Sequence, residues 1–241
     1  MHPVADREMR HGRFLASADP EATWGWGTPA GRVRAERRAQ LILKGAGITP
    51  DMRVLEIGCG TGMFTAMFAG AGAQIAAIDI SPELLERAMD RHLPAEQVRF
   101  VQGRFEDYRP DRPFDAVLGS SILHHLDLQQ ALPRILDLLR PRGVLCFAEP
   151  NMLNPQIFVE RKFRRFFPSV SPDETAFVRW TLAHRLQSAG FQEIEAVPFD
   201  WLHPAVPGPL VPFVADLSPI LERIPLLCEF SGSLLIRAVR P

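Results

Sequence analysis

Cysteine is scarce: Cys59, Cys146 and Cys228 are the three in 241 residues. They are too few and too scattered for a disulfide framework or a paired-cysteine metal site, and they point to a reducing, intracellular compartment. Charge of neither sign is in excess, with 27 basic against 28 acidic residues, so no global field draws the chain to nucleic acid. Lysine is nearly missing; Lys44 and Lys162 are the only two, and arginine carries the positive charge. The opening Met-His-Pro-Val-Ala-Asp-Arg-Glu lacks the apolar stretch of a secretory leader. The uncharged run from Ile57 to Ile78 has the length of a membrane span, but five glycines, two threonines and Gln74 interrupt it. It reads as a strand, a glycine turn, a helix and the next strand. What is present, 46% hydrophobic and 23% charged residues, fits a soluble globular protein of one ordinary domain or one domain with an elaborated lid.

From Arg53 onward short apolar strands alternate with helical stretches, the pattern of a parallel sheet covered on both faces. Strands are predicted at Arg53–Ile57, Gln74–Asp79, Val98–Gln102, Phe114–Gly119, Gly143–Glu149, Gln192–Phe199 and Ser233–Val239. Ser81-Pro82-Glu83 reads as a cap, a first-turn proline and a first-turn acid opening a helix to about Arg91. Further helices are expected over Gln129–Leu139, stopping at Pro141, and over about Thr175–Ala189, ending on Gly190. Residues 1–50 form an N-terminal helical cover, and 51–241 the main domain, with lid insertions at 151–174 and 201–230. Insertions at such places make the substrate side of an enzyme.

The strongest signal is Val54-Leu-Glu-Ile-Gly-Cys-Gly-Thr-Gly62, a strand running into a turn with glycines at 58, 60 and 62. Glycine there lets a ligand approach the backbone, and the following helix start offers amides to a polar group. Asp79, at the end of the next strand, is placed to accept from two ribose hydroxyls. A dinucleotide fingerprint needs its third glycine at 63, which is Met63. Glu56, just before the turn, would repel a pyrophosphate and suits a ligand with an ammonium group and a sulfonium centre, S-adenosylmethionine.

On these residues, with Ile78-Asp79-Ile80-Ser81, Phe114-Asp115-Ala-Val and the downstream His124-His125, residues 50–150 resemble class I S-adenosylmethionine-dependent methyltransferases. The resemblance implies a Rossmann-like, doubly wound α/β sheet, mostly parallel, in the order 3-2-1-4-5-7-6 with an antiparallel last strand. It also implies S-adenosyl-L-methionine as cofactor and no metal. Gly58, Gly60 and Gly62 would shape the methionine and ribose wall, Asp79 would hold the ribose, and Ile80 would pack on adenine. Glu56, Cys59, Arg104, Phe105 and Ser120 complete the expected cofactor contacts. One departure stands out: where the family often has an acid or amide for the adenine amino group, Arg104 offers donors only. Stacking on Phe105, or backbone groups, would then hold adenine.

Each other candidate has two readings. Glu56 organises ligand or caps the turn, and Cys59 is a small buried residue before it is a nucleophile. His124 and His125, after the fourth strand, are general bases or bond loop backbone. Glu149 binds substrate or anchors the lid. Trp24 and Trp26 plug the core or wall the substrate site. The arginine-rich stretch 32–44 is a solvated face, or one arginine of it reaches the methionine carboxylate. Phe158, Phe163, Phe166 and Phe167 pack as one helical face, or join Arg161, Lys162, Arg164 and Arg165 in contacting a membrane. The expected function is methyl transfer, O-methylation favoured, to a small-molecule or lipid-linked acceptor, without nucleic acid, in the cytoplasm or peripherally at the inner membrane face. The alternatives are an NAD(P)-dependent oxidoreductase and a non-catalytic partner-binding module.

Overall fold

A computed structural model describes residues 3–163, 165 and 176–241. Three helices lead, α1 (Pro3–Ala16), α2 (Pro20–Thr23) and α3 (Pro29–Ala46). The sheet strands are β1 (Arg53–Ile57), β2 (Gln74–Asp79), β3 (Val98–Gln102), β4 (Phe114–Ser120), β5 (Leu139–Pro150), β6 (Gln192–Phe199) and β7 (Ser233–Val239). Between them lie α4 (Met63–Ala69), α5 (Pro82–Met89), α6 (Leu128–Leu138), α7 (Pro155–Lys162), α8 (Arg179–Ser188) and α9 (Val211–Leu221). The sheet order is β3-β2-β1-β4-β5-β7-β6, with β7 antiparallel to both neighbours and the other pairs parallel. Both sheet order and antiparallel last strand are as expected.

Alternation along the strands splits the core in two. Leu55, Val117, Leu145 and Ile236 pack with Leu132 and Ile135 of α6 and Leu182 of α8. Val54, Ala116, Leu118 and Cys146 pack on the other face with Ile42 of α3 and Phe64 and Phe68 of α4. Strand order reverses between β1 and β4, and an open α/β sheet has its ligand crevice at the carboxyl ends beside such a reversal.

Several boundaries differ from expectation. β5 begins four residues early, at Leu139, so Pro141 lies inside the strand and α6 stops before it. Helix α8 starts at Arg179; Thr175 lies outside the described residues. Ser81 caps α5 as expected, its hydroxyl accepting from Leu84 N at 3.3 Å. Of the expected phenylalanine face, Phe158 and Phe163 are exposed: α7 ends at Lys162 and buries none of its residues. Phe166 and Phe167 lie outside the described residues.

Candidate active site

The glycine turn joins β1 to α4, and Gly58, Gly60 and Gly62 all take left-handed φ, at +68°, +52° and +73°. At Gly58 a Cβ would stand 2.5 Å from Ile122 Cγ1, so the turn needs both the conformation and the missing side chain. Asp79 closes the turn from the neighbouring strand: its Oδ2 accepts from Gly60 N at 2.8 Å and its Oδ1 from Ser81 N at 2.9 Å.

These elements border a cavity of about 710 Å³ at the carboxyl edge of the sheet, a volume typical of small-molecule sites. Gly58, Cys59, Gly60, Asp79, Ile80, Arg104, Phe105, Ser120, His124 and His125 all reach its wall. Gly62 and Glu56 do not: Gly62 caps α4 behind the wall, and Glu56 is buried beneath the turn. Burial pushes the Glu56 carboxyl up to about 8; the Asp79 charge adds to the rise and the Thr65 hydroxyl opposes it. Its Oε2 has no hydrogen-bond partner. Burial likewise raises the Cys59 thiol well above its ordinary range, with Asp79 next in effect, so it stays a neutral packing group. Arg104 turns to its own acidic neighbours, 3.5 Å from Glu106 and 3.8 Å from Asp107, while Phe105 is buried. The other acid of the motif, Asp115, works at the far end of the sheet, accepting from Arg53 N at 2.7 Å.

Helix α3 brings Arg34 and Arg38 to the opposite wall, and Arg34, Arg37 and Arg38 are not a solvated face, whereas Arg32 is exposed. Arg37 pairs with Glu222 through two contacts of 2.7 and 2.6 Å, and Arg34 donates to Asp200 Oδ2 at 2.9 and 2.7 Å. Arg38 is buried, donating to Ser121 Oγ at 2.9 Å, to Ser120 Oγ and Ala148 O at 3.3 Å, and to the Ser233 hydroxyl. Burial lowers its pKa to about 10, so it remains a cation at neutral pH. Ser121 and Asp200 hold these arginines from backbones of positive φ, +56° and +80°, strain of the kind that collects at functional sites.

Trp26 packs edge-on against Phe64, with Arg34 and Arg38 above its ring, and Trp24 lies over Gly60. Thus Trp26 serves both packing and the cavity wall, and Trp24 the wall. Glu149 neither lines the cavity nor holds the lid. It is fully buried, its Oε1 accepting from Ile122 N and Leu123 N at 2.9 Å and its Oε2 standing 2.6 Å from His124 Nδ1. Gln156, Trp201 and His203 also line the cavity, and Trp201 Nε1 is buried without a hydrogen-bond partner.

Sheet order and glycine turn together define the class I S-adenosylmethionine-dependent methyltransferase architecture. Comparison with known proteins narrows this to a family. The methyltransferase domain family matches residues 54–143. An uncharacterized methyltransferase of Synechocystis sp. is 32% identical over 162 residues, 65% of this chain and 74% of that protein. The chain belongs to this family of methyltransferases, whose cofactor is S-adenosylmethionine. Nodulation protein S of Rhizobium tropici is 26% identical over 60% of either chain, and a ubiquinone biosynthesis O-methyltransferase of Xanthomonas campestris is 37% identical over 42% of this chain and 44% of its own. The matched part thus spans less than two thirds of both proteins. Among solved structures, the N-methyltransferase NodS of Bradyrhizobium japonicum with S-adenosyl-L-homocysteine gives a TM-score of 0.65 at 19% identity, covering 97% of this chain and 98% of that one. The dinucleotide reading gives way to these matches.

The residues fit the cofactor. The glycine turn, open where Gly60 borders the cavity, and the Asp79 carboxylate on the wall suit a ribose.

Proposed function

We propose that the chain transfers a methyl group to a hydroxyl of an apolar small-molecule or lipid-linked acceptor, as a peripheral protein on the cytoplasmic face of a membrane. The cofactor supplies an electrophilic methyl carried on sulfur. The chain aligns the acceptor and excludes water: Asp79 and the glycine turn hold the cofactor, His124 and His125 border the place where a hydroxyl loses its proton, and the unused Trp201 Nε1 offers the acceptor a donor. Residues 1–50 act as the cover, and 151–174 with 201–230 as the acceptor-side lid.

The observation that carries the acceptor class lies at the cavity mouth. Gln156 of α7 meets His203 at 2.8 Å across it. The same two segments leave Phe158, Val159, Leu210, Phe213, Ile220 and Leu226 in solvent, Phe213 at 68% and Leu226 at 80% exposure. Exposed apolar residues with exposed cations on the same segments, here Lys162 and Arg223, complement an anionic lipid surface. An acceptor anchored in the bilayer would then enter the cavity without crossing water. Among the described residues no helix is long and apolar enough to cross a membrane, so contact would be interfacial.

Calorimetry with S-adenosylmethionine, followed by sedimentation with phosphatidylglycerol-containing and with pure phosphatidylcholine vesicles, tests the proposal. Cofactor heat with salt-sensitive binding to the anionic vesicles is expected. No heat at millimolar cofactor overturns the transfer, and indifference to lipid charge overturns the membrane part.

A further inference from the structure

The charge of the cavity wall bears on the acceptor of the transfer proposed above, and this inference rests on that reading. Among the described residues, the elements beside the glycine turn bring mostly acids to the wall. Asp79 at the end of β2, Glu106 after β3 and Asp127 at the start of α6 stand against Arg104 alone. The elements facing them bring mostly cations. Arg34 and Arg38 of α3 and Arg161 of α7 stand against Glu160 of α7 and Asp200 after β6. S-adenosylmethionine carries one net positive charge, an ammonium and a sulfonium against one carboxylate. It suits the acidic elements and leaves the basic ones without a counter-ion.

Arg34, Arg38 and Asp200 form one network. Arg34 Nε and Nη2 both donate to a single Asp200 oxygen, at 2.9 and 2.7 Å, and Ser233 Oγ donates to that oxygen at 3.5 Å. Arg38 in turn donates to Ser233, and its other partners are two serine hydroxyls and a carbonyl. Glu149 acts on Arg38 only through space, its own oxygens being taken by two amides and His124. Two guanidiniums, one buried and one with 14% of its side chain exposed, thus share one carboxylate. Charges withdrawn from water are held cheaply only when paired, so this network is one anion short. Arg34 Nη1 makes no hydrogen bond among the described residues, and Arg34 lines the cavity.

We propose that the acceptor is an acid: besides an apolar body and a hydroxyl it carries a carboxylate or phosphate, which Arg34 binds at the α3 wall. Arg34 is then a specificity-determining residue. The anion is bound and not transformed; it completes the Arg34–Arg38–Asp200 network, and a neutral analogue leaves that network unbalanced.

The full chain saturated with S-adenosylhomocysteine, which supplies the cofactor's own carboxylate, is titrated by calorimetry with benzoate, phenyl phosphate and neutral benzamide. At least one of the two acids should bind about tenfold tighter than benzamide, the size of one charge-assisted hydrogen bond. Benzoate against phenyl phosphate tells a carboxylate from a phosphate. Arg34→Gln should abolish the preference and leave S-adenosylhomocysteine affinity within about threefold. Asp200→Asn removes the acid that competes for Arg34, and should keep or increase the preference. A parent that prefers neither acid, or binds none of the three probes, overturns the proposal whether or not the variants fold. An Arg34→Gln variant that loses cofactor affinity and keeps the preference overturns it too, assigning the arginine to the cofactor's carboxylate. So do equal losses in Arg34→Gln and Asp200→Asn, which make the pair a brace for the wall. Absence of S-adenosylhomocysteine heat sinks methyl transfer itself, whereas cofactor heat without an acid preference sinks the anionic acceptor alone.

Discussion

Asp79 Oδ2 accepts the amide of Gly60 at 2.8 Å, tying the end of β2 to the middle of the glycine turn. The carboxylate proposed to hold the cofactor therefore also holds the backbone of the turn beside it on the cavity wall. Asp79→Ala removes a charge-assisted bond of about 1.5–3 kcal/mol. At about 1.4 kcal/mol per tenfold, S-adenosylmethionine should bind roughly 10- to 100-fold more weakly by calorimetry. Parent-like affinity would show that the ribose is held elsewhere.

Glu56 gives a pH signature. Its carboxyl is raised by burial to about 8 in the folded chain, against an ordinary value of 4.5. The folded state then holds a proton that the unfolded state releases, so stability is full below about pH 4.5 and declines as pH rises towards 8. Each pKa unit is worth about 1.4 kcal/mol, which puts the whole decline on the order of a few kcal/mol. Glu56→Gln should flatten this part of the stability–pH curve in urea unfolding. A curve of unchanged slope would place the titrating group elsewhere.

Arg38→Ala strands three serine hydroxyls and a carbonyl that now share one guanidinium. Breaking a buried charged network costs about 3 kcal/mol or more, and at about 2–4 °C per kcal/mol the melting temperature should drop by roughly 6–12 °C. Arg38→Lys should recover only part of this, because an ammonium cannot span the same fork of acceptors. Full recovery by lysine would mean that charge alone matters.

The exposed stripe of α9 is free of such duties. Phe213→Ser with Ile220→Ser should leave the melting temperature within about 2 °C, since substitutions at exposed sites cost little, while sharply reducing sedimentation with anionic vesicles. Retained binding would move the lipid contact off this helix.

Much of this was legible in the chain. Continuous apolar runs such as Ala116-Val117-Leu118 located the strands, and the glycine spacing with Asp79 located the turn that borders the cavity. Arg38 was legible too but passed over: it falls on the same stripe as Ala35, Ala39, Ile42 and Ala46, all buried. A lone charge on an apolar helical face is the signal. The Arg34–Asp200 and His124–Glu149 contacts join residues 166 and 25 positions apart, and periodicity is blind to such pairings. Phe158 and Phe163 misled because their spacing fits a helical face equally well whether that face meets a core or solvent.

Glu21 fastens the N-terminal segment: it accepts from the Thr61 hydroxyl at 2.9 Å and pairs with Arg91, which also donates to Thr61 O at 2.6 Å. A half-exposed pair of this kind is worth under about 1 kcal/mol. Glu21→Ala should speed amide hydrogen exchange across residues 19–27 and raise the cofactor off-rate a few-fold in stopped flow. Identical exchange in parent and variant would mean the segment is secured by Trp24 and Trp26 alone.

Trp24 spreads across the same turn, its Cη2 3.4 Å from where a Cβ on Gly60 would stand. If the cofactor rests against this turn as proposed, its spent form leaving on that side would wait for the indole to lift. Throughput would then be metered by the peeling of a short stretch of backbone, a clock indifferent to which acceptor waits at the other door.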